Sequence, residues 1–346
     1  MAVAQQRNLL PFIMSSNVLE QWPLPEFPSD HSQSDIFWEN KSTLTRHHDT
    51  YPFIDPLRFR NTLRGKVVVV TLAHRGTGRT TANAFAAAGA SVVVVGPTAQ
   101  ALQPVMIEIR EKYGTPTLAL TADVLDLQAP ARIVSLTERH LGPVDILINV
   151  SPPAYMRPFA QEHDMGDWWL MMERTVRAPV ALIHAVLPSM IARHTGTIIT
   201  LASVAAVLNV PFLSAEGTSK AAILKFHQHL HRETQPKGVT SFAVNPGLIP
   251  SHLHDPDDTI MMRPEDFEKE PRMRTEITDR VSEVTWDAAG LASGTFVALC
   301  ADPRARVLSG MYVNATRDLG EMIAVVERNP GRIERERLYT LKVDEL

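Results

Sequence analysis

The chain has a single cysteine, Cys300, among its 346 residues. One thiol excludes an internal disulfide and a cysteine-built zinc site, and it suits a reducing compartment. A surplus of charge of one sign is also missing: 34 Lys and Arg stand against 38 Asp and Glu, a formal net charge of -4. With no Lys/Arg run either, the balance argues against a nucleic-acid partner. Apolar stretches are broken by Gly, Pro or charge before they reach the length of a bilayer span, so no membrane partner is expected. The first residues, MAVAQQRNLLPFIMSSN, lack a basic region followed by a sustained apolar one, and no secretory signal is read there. The terminal KVDEL is similar to an endoplasmic-reticulum retention address, which is read only behind an entry signal. A cytoplasmic protein is the expectation.

What the chain does have is 45% hydrophobic and 21% charged residues, the balance of an ordinary globular domain. Residues 1–62 scatter Pro, Trp, Phe and His without a period and are read as an N-terminal arm lying on the body or on a neighbouring subunit. From residue 63 to 325 strands and helices alternate. KVVVVTL is an uninterrupted β-branched run of the kind buried parallel strands use. A Gly-bearing turn follows, then RTTANAFAAAG as a helix with Gly89 as its stop. The alternation continues through SVVVVG, AQALQPVMIEIREKYG, PTLALTADV, VDILINV, GTIITLAS and VTSFAVNPG, with helices expected near 128–141, 165–193 and 216–235. A helix at 286–301 and the strand LSGMYVNA close the body. Repeated βαβ units predict an α/β fold, a Rossmann-like doubly wound parallel sheet of about seven strands flanked by helices. Residues 250–283, rich in Pro, Met and charge, follow a strand's C-terminal end and are read as a lid carrying His252, His254 and Asp255. Residues 326–346 are read as a C-terminal tail.

Chemistry enters at TLAHRGTGRTTA, where Gly76 and Gly78 sit at the first strand-to-helix turn. Backbone amides and a helix N-terminus there can receive a pyrophosphate. With Asp123 after the third strand, these residues make the chain resemble the short-chain dehydrogenase/reductase family, in its fungal form with an N-terminal extension, over roughly 60–325. The family's T-G-x-x-x-G-x-G is met by Thr71, Gly76 and Gly78, with Leu72 replacing the first Gly. Asp123 matches the acid that holds the adenine, and Asn149 the first Asn of N-N-A-G, whose remainder reads Val150, Ser151, Pro152. The second strand ends on Gly96, Pro97 and Thr98, without the acid an NAD enzyme uses. Arg75 matches a basic position that favours a 2′-phosphate, so the resemblance implies NADP over NAD if nucleotide binds; Arg75 and Arg79 read equally well as solvated residues of the loop and first turn.

The family works with an Asn on the fourth helix, a Ser after the fifth strand, and Tyr-x-x-x-Lys on the next helix. Ser203 and Lys220 match the Ser and the Lys, which also holds the cofactor ribose. The Asn position falls on Thr175 and the Tyr position on Glu216. Tyr155, after the fourth strand, is a further phenol for the cleft. An unperturbed Glu has a pKa of about 4.3 against about 10 for Tyr, so at neutral pH it offers a base. That favours a non-redox enzyme of natural-product metabolism, performing cyclisation, isomerisation or dehydration of a hydrophobic substrate, with NADP vestigial or structural. The alternatives are an NADP-dependent carbonyl reductase using Glu216 or Tyr155 as proton donor, and a catalytically silent binding relative. On purely structural grounds Glu216 and Lys220 also have the spacing of a helical ion pair. His227 and His231 have metal-ligand spacing without a third ligand, so a surface or subunit-contact face is expected and no metal site. The long helix near 165–193 and the one after Glu216 are apolar over much of their surface, which with the resemblance implies a homodimer or homotetramer.

Overall fold

In this computed structural model the described residues are 42–123, 125–152, 155–162, 165–249, 264–273 and 285–341. The arm before residue 42 and the lid positions His252, His254 and Asp255 lie outside them.

Seven strands form one sheet: β1 (Val67–Val70), β2 (Ser91–Gly96), β3 (Thr117–Thr121), β4 (Ile146–Asn149), β5 (Gly196–Leu201), β6 (Val239–Asn245) and β7 (Tyr312–Asn314). Their order is β3-β2-β1-β4-β5-β6-β7 and every pairing is parallel. The continuous valine run of β1 is explained by cover on both faces. Val68 and Val70 face one apolar cluster while Val67 and Val69 face the other, as the two-residue period of a strand requires. The chain steps outward from β1 to β3 and then returns to place β4 on β1's other side. That reversal is the switch point at which open α/β sheets bind ligands, beyond the strands' C-terminal ends.

One face is covered by α1 (Gly76–Ala87), α2 (Ala99–Tyr113), α8 (Ala289–Ala301) and α9 (Leu319–Arg328), the other by α3 (Ala129–His140), α5 (Ala178–Ala192) and the second half of α6 (Ser214–Thr234). The remaining α-helices among the described residues are α4 (Met165–Met172), α7 (Pro264–Lys269) and α10 (Pro330–Glu336). Helix α1 begins at Gly76, earlier than the apolar pattern alone suggested, so the glycines are its first turn. The segment expected as one helix over 165–193 is α4 and α5 joined by a π-turn at Glu173–Arg177. By length and composition Met165–Ala192 could cross a membrane. Here Leu182, Ile183, Val186 and Met190 are instead buried against the sheet. Residues beyond 318, in part expected as a tail, carry α9 and α10; Leu319, Met322, Ile323 and Val326 form a buried helical stripe.

The described end of the arm is anchored to the body. Tyr51, Ile54 and Phe59 join the main core. The Tyr51 hydroxyl accepts from the Leu319 amide at 2.7 Å, and His47 stacks on Tyr51 with centroids 3.7 Å apart. The backbone of Ile54 passes so close to α8 that a Cβ at Gly294 would lie 2.4 Å from its carbonyl oxygen, so this helix needs glycine there.

Candidate active site

The turn after β1 is built by close backbone approach. A Cβ on Gly78 would fall 2.2 Å from the Leu72 carbonyl oxygen, so glycine is obligatory at that position. Leu72, where the resemblance has its first Gly, holds φ at +48°. A leucine has therefore been kept in the left-handed conformation that glycine takes freely, at a cost of roughly 1–2 kcal/mol. Thr71 Oγ1 accepts from the Val150 amide at 2.8 Å and donates to the Val150 carbonyl at 3.2 Å, tying the end of β1 to the end of β4. Asn149 Nδ2 donates to Thr200 Oγ1 at 3.3 Å, which ties β4 to β5.

Thr71, Leu72, Gly96, Asp123, Asn149 and Arg174 line one cleft at the strand ends. Asp123 is exposed there, and its Oδ1 caps the following turn by accepting from the Leu125 amide at 2.8 Å. Arg75 is the extended residue just before α1. Arg79, in the first turn, is not a free solvated cation: it forms a two-point ion pair with Glu108 of α2, which Asn83 also contacts at 3.0 Å.

The second half of the site lies where α6 starts. Gly217 sits against the short turn Val204–Ala206, with a Cβ there only 3.0 Å from the Ala205 carbonyl oxygen. Ser203 caps that turn, its Oγ accepting from the Ala205 amide at 3.2 Å. Glu216 and Lys220 are both buried, 7% and 3% exposed. They do not form the ion pair their spacing allows. Lys220 Nζ donates to Ser151 Oγ at 2.7 Å and to the Leu201 carbonyl at 3.0 Å. Glu216 Oε2 is buried without a hydrogen-bond partner. Burial raises the Glu216 pKa above the ordinary carboxylate range, opposed by the Lys220 charge. Burial likewise lowers that of Lys220, opposed by Glu216. A carboxyl in this setting tends toward its neutral form, and the ordinary Glu pKa misses this because it assumes full hydration.

Thr175 is fully buried in the π-turn, with Oγ1 3.3 Å from Met171 Sδ. Tyr155 packs with Met171 and Ala215, the neighbour of Glu216, and its hydroxyl donates to Glu162 Oε1 at 2.8 Å. Burial, then Glu162, raises the phenol's pKa. Two features escaped the sequence reading. Ser151 was legible only as a hydroxyl where N-N-A-G has a small apolar residue. Arg157, buried among Glu162, Asp167 and Asp266, has no local signal because Asp266 is remote in sequence. His227 is fully buried rather than on a surface, and His231 is bonded to Ser309 Oγ at 2.9 Å. Among the described residues no three His, Cys, Asp or Glu side chains gather as for a metal.

Residues 66–259 match the family model for short chain dehydrogenases. The chain belongs to the short-chain dehydrogenase family. A short chain dehydrogenase of Pseudocercospora fijiensis is 40% identical over 304 residues, 87% of this chain and 97% of the relative. The short chain dehydrogenase pigC of Monascus ruber is 32% identical, over 82% of this chain and 88% of its own length. Among solved structures, L-sorbose reductase of Gluconobacter frateurii, in complex with NADPH and L-sorbose, is similar with a TM-score of 0.60 and 25% identity. That likeness covers 73% of this chain and 95% of the reductase. The chain is thus an enzyme of the short-chain dehydrogenase fold.

The family's dinucleotide meets a divided fit. The glycine turn, with its forced approach at Gly78 and the N-terminus of α1, suits the adenosine and pyrophosphate half. The other half departs, with Lys220 tied to Ser151 and Pro152 beside it.

Proposed function

We propose that this short-chain dehydrogenase is an enzyme of natural-product metabolism that moves protons rather than hydride. Its reaction would be cyclisation, isomerisation or dehydration of a hydrophobic substrate, with Glu216 as the proton-transfer group. The observation that carries this reading is the Glu216 carboxyl, buried and unpartnered at the start of α6, beside the strand ends where the fold binds ligands. A carboxyl whose pKa burial has lifted gives a proton to a carbonyl or hydroxyl oxygen and takes one back, which both dehydration and isomerisation need. Ser203 would hold the same oxygen. Phe159, Met165 and Trp169, exposed after β4, favour an apolar substrate. The partner would thus be a small molecule, and the enzyme a cytoplasmic homodimer or homotetramer assembling through α4, α5 and α6.

Glu216→Gln keeps the shape of the carboxyl and removes its proton chemistry. Turnover should fall roughly 10²–10⁴-fold with substrate binding retained, the usual scale of general acid–base catalysis. Wild-type enzyme should convert substrate without nucleotide. NADPH consumed stoichiometrically with product would overturn the reading.

A second reading, NADP-dependent carbonyl reduction with Glu216 as proton donor, is favoured by the same neutral tendency of Glu216 and by the glycine turn keeping its shape. Tyr155 is the weaker donor, since its proton is engaged by Glu162. Under either reading, NADPH should bind more tightly than NADH in a fluorescence titration, because Arg75 is present and the acid at the end of β2 is absent. The reverse order would remove the 2′-phosphate role of Arg75.

A further inference from the structure

Lys220 has three donors and uses one on the Leu201 carbonyl and one on Ser151 Oγ. Glu216 lies one helical turn earlier on the same face of α6, within reach of a lysine at this spacing. Yet its buried Oε2 has no partner. We propose that Ser151 is a positioning residue: its hydroxyl draws the Lys220 ammonium toward the end of β4, leaving the Glu216 carboxyl without a counter-ion.

This rests on Glu216 being the proton-transfer group. It explains how a short-chain dehydrogenase can keep the lysine while holding an acid near it in a form able to donate. Among the described residues, the other titratable groups on elements packed against this end of α6 face elsewhere. Asp167 faces Arg157 and Glu173 pairs with Arg177, while Tyr155 donates to Glu162. Arg174 lines the nucleotide-side cleft, and the strand β6 and the turn Val204–Ala206 carry no titratable side chain. Among the described residues, Lys220 is the only charge whose attraction reaches Glu216, where it opposes the effect of burial without closing an ion pair.

The test is infrared titration of the substrate-free protein. The C=O stretch of a neutral carboxyl, assigned to Glu216 by its loss in Glu216→Gln, is followed with pH. In the wild type its midpoint should lie above the ordinary value of about 4.3. In Ser151→Ala, Lys220 is released to Glu216 and the midpoint should drop by about 1–3 pH units, the effect of a cation moving within 4–6 Å. Ser151→Thr, which restores the hydroxyl, should return it toward wild type. Should Ser151→Ala not fold, judged by circular dichroism, Ser151→Gly carries the same comparison.

Equal midpoints in wild type and Ser151→Ala would overturn the proposal. So would equal shifts in the Ala and Thr variants, or a wild-type midpoint at or below about 4.3. Unchanged turnover in Glu216→Gln would instead overturn the proposed function alone, since the titration uses no substrate.

Discussion

Two buried ionisable groups lie at the approach to α6, and they are treated in opposite ways. Arg157 is 2% exposed and surrounded by carboxylates, with Glu162 at 2.8 Å, Asp167 at 3.3 Å and Asp266 at 3.4 Å. The Tyr155 ring lies 5.1 Å beneath its guanidinium. Burial works against the guanidinium's charge, but Glu162 and Asp167 outweigh it and hold its pKa above the usual value. The Arg157 amide donates to the Phe212 carbonyl at 2.9 Å, on the loop leading to Glu216. Glu216 itself, a few residues on, has no such company. The paired cluster is tied to the loop before α6, and the unpaired carboxyl sits in the first turn of the helix that follows. Buried ionisable groups without partners cost stability, and one that lies beside the strand ends is a candidate functional group.

The largest effect should come from breaking the paired side. Arg157→Met leaves converging carboxylates without their cation, and losing one member of a buried ion pair costs about 3–5 kcal/mol. A drop of that size in urea-unfolding free energy is expected, with a smaller one for Asp266→Asn, whose partner is the more distant. A loss under about 1 kcal/mol, the level of an exposed pair, would mean that the cluster does not hold the loop.

His227 sharpens the contrast, because it is unpaired on the same helix but away from the strand ends. Both ring nitrogens are buried without partners, and burial lowers its pKa to about 3. The unfolded chain takes up a proton near pH 6.5, whereas the folded one does not until about 3. Stability should therefore fall as pH drops through that window, by about 1.4 kcal/mol per unit from this residue. His227→Phe should remove that part of the slope, measured by denaturant unfolding between pH 4 and 7, without touching turnover. An unchanged slope would place the acid sensitivity elsewhere.

The fold was legible because valine runs and glycine stops announce buried strands and turns directly, as at Val67–Val70 and Gly89. The site was legible only as positions. Spacing put Glu216 where the family has Tyr, and local pattern put Lys220 four residues later on one helix face. Neither could say that Lys220 turns toward Ser151, since that depends on how β4 and α6 meet across 69 residues of chain. The same holds for Arg157 and Asp266, 109 residues apart. Hydration was the other blind spot. A carboxylate's ordinary pKa suggested a base, and burial moves Glu216 toward an acid.

The smallest expected effect has the opposite sign to the others and bears on the unpaired side alone. If Glu216 stays neutral in the folded protein beyond the pH at which the unfolded chain ionises, about 4.3, wild-type stability falls as pH rises above that point. Glutamine keeps the shape and has nothing to ionise. Glu216→Gln should therefore match the wild type near pH 4 and exceed it at pH 8 in thermal or urea unfolding, while losing turnover. An acid that weakens the fold and strengthens the chemistry is the trade expected of a functional group. If the wild type proves the more stable at pH 8, Glu216 is ionised and its attraction to Lys220 outweighs desolvation. The helical ion pair read from their spacing would then be the better description, and Ser151 would be only a second acceptor for the lysine.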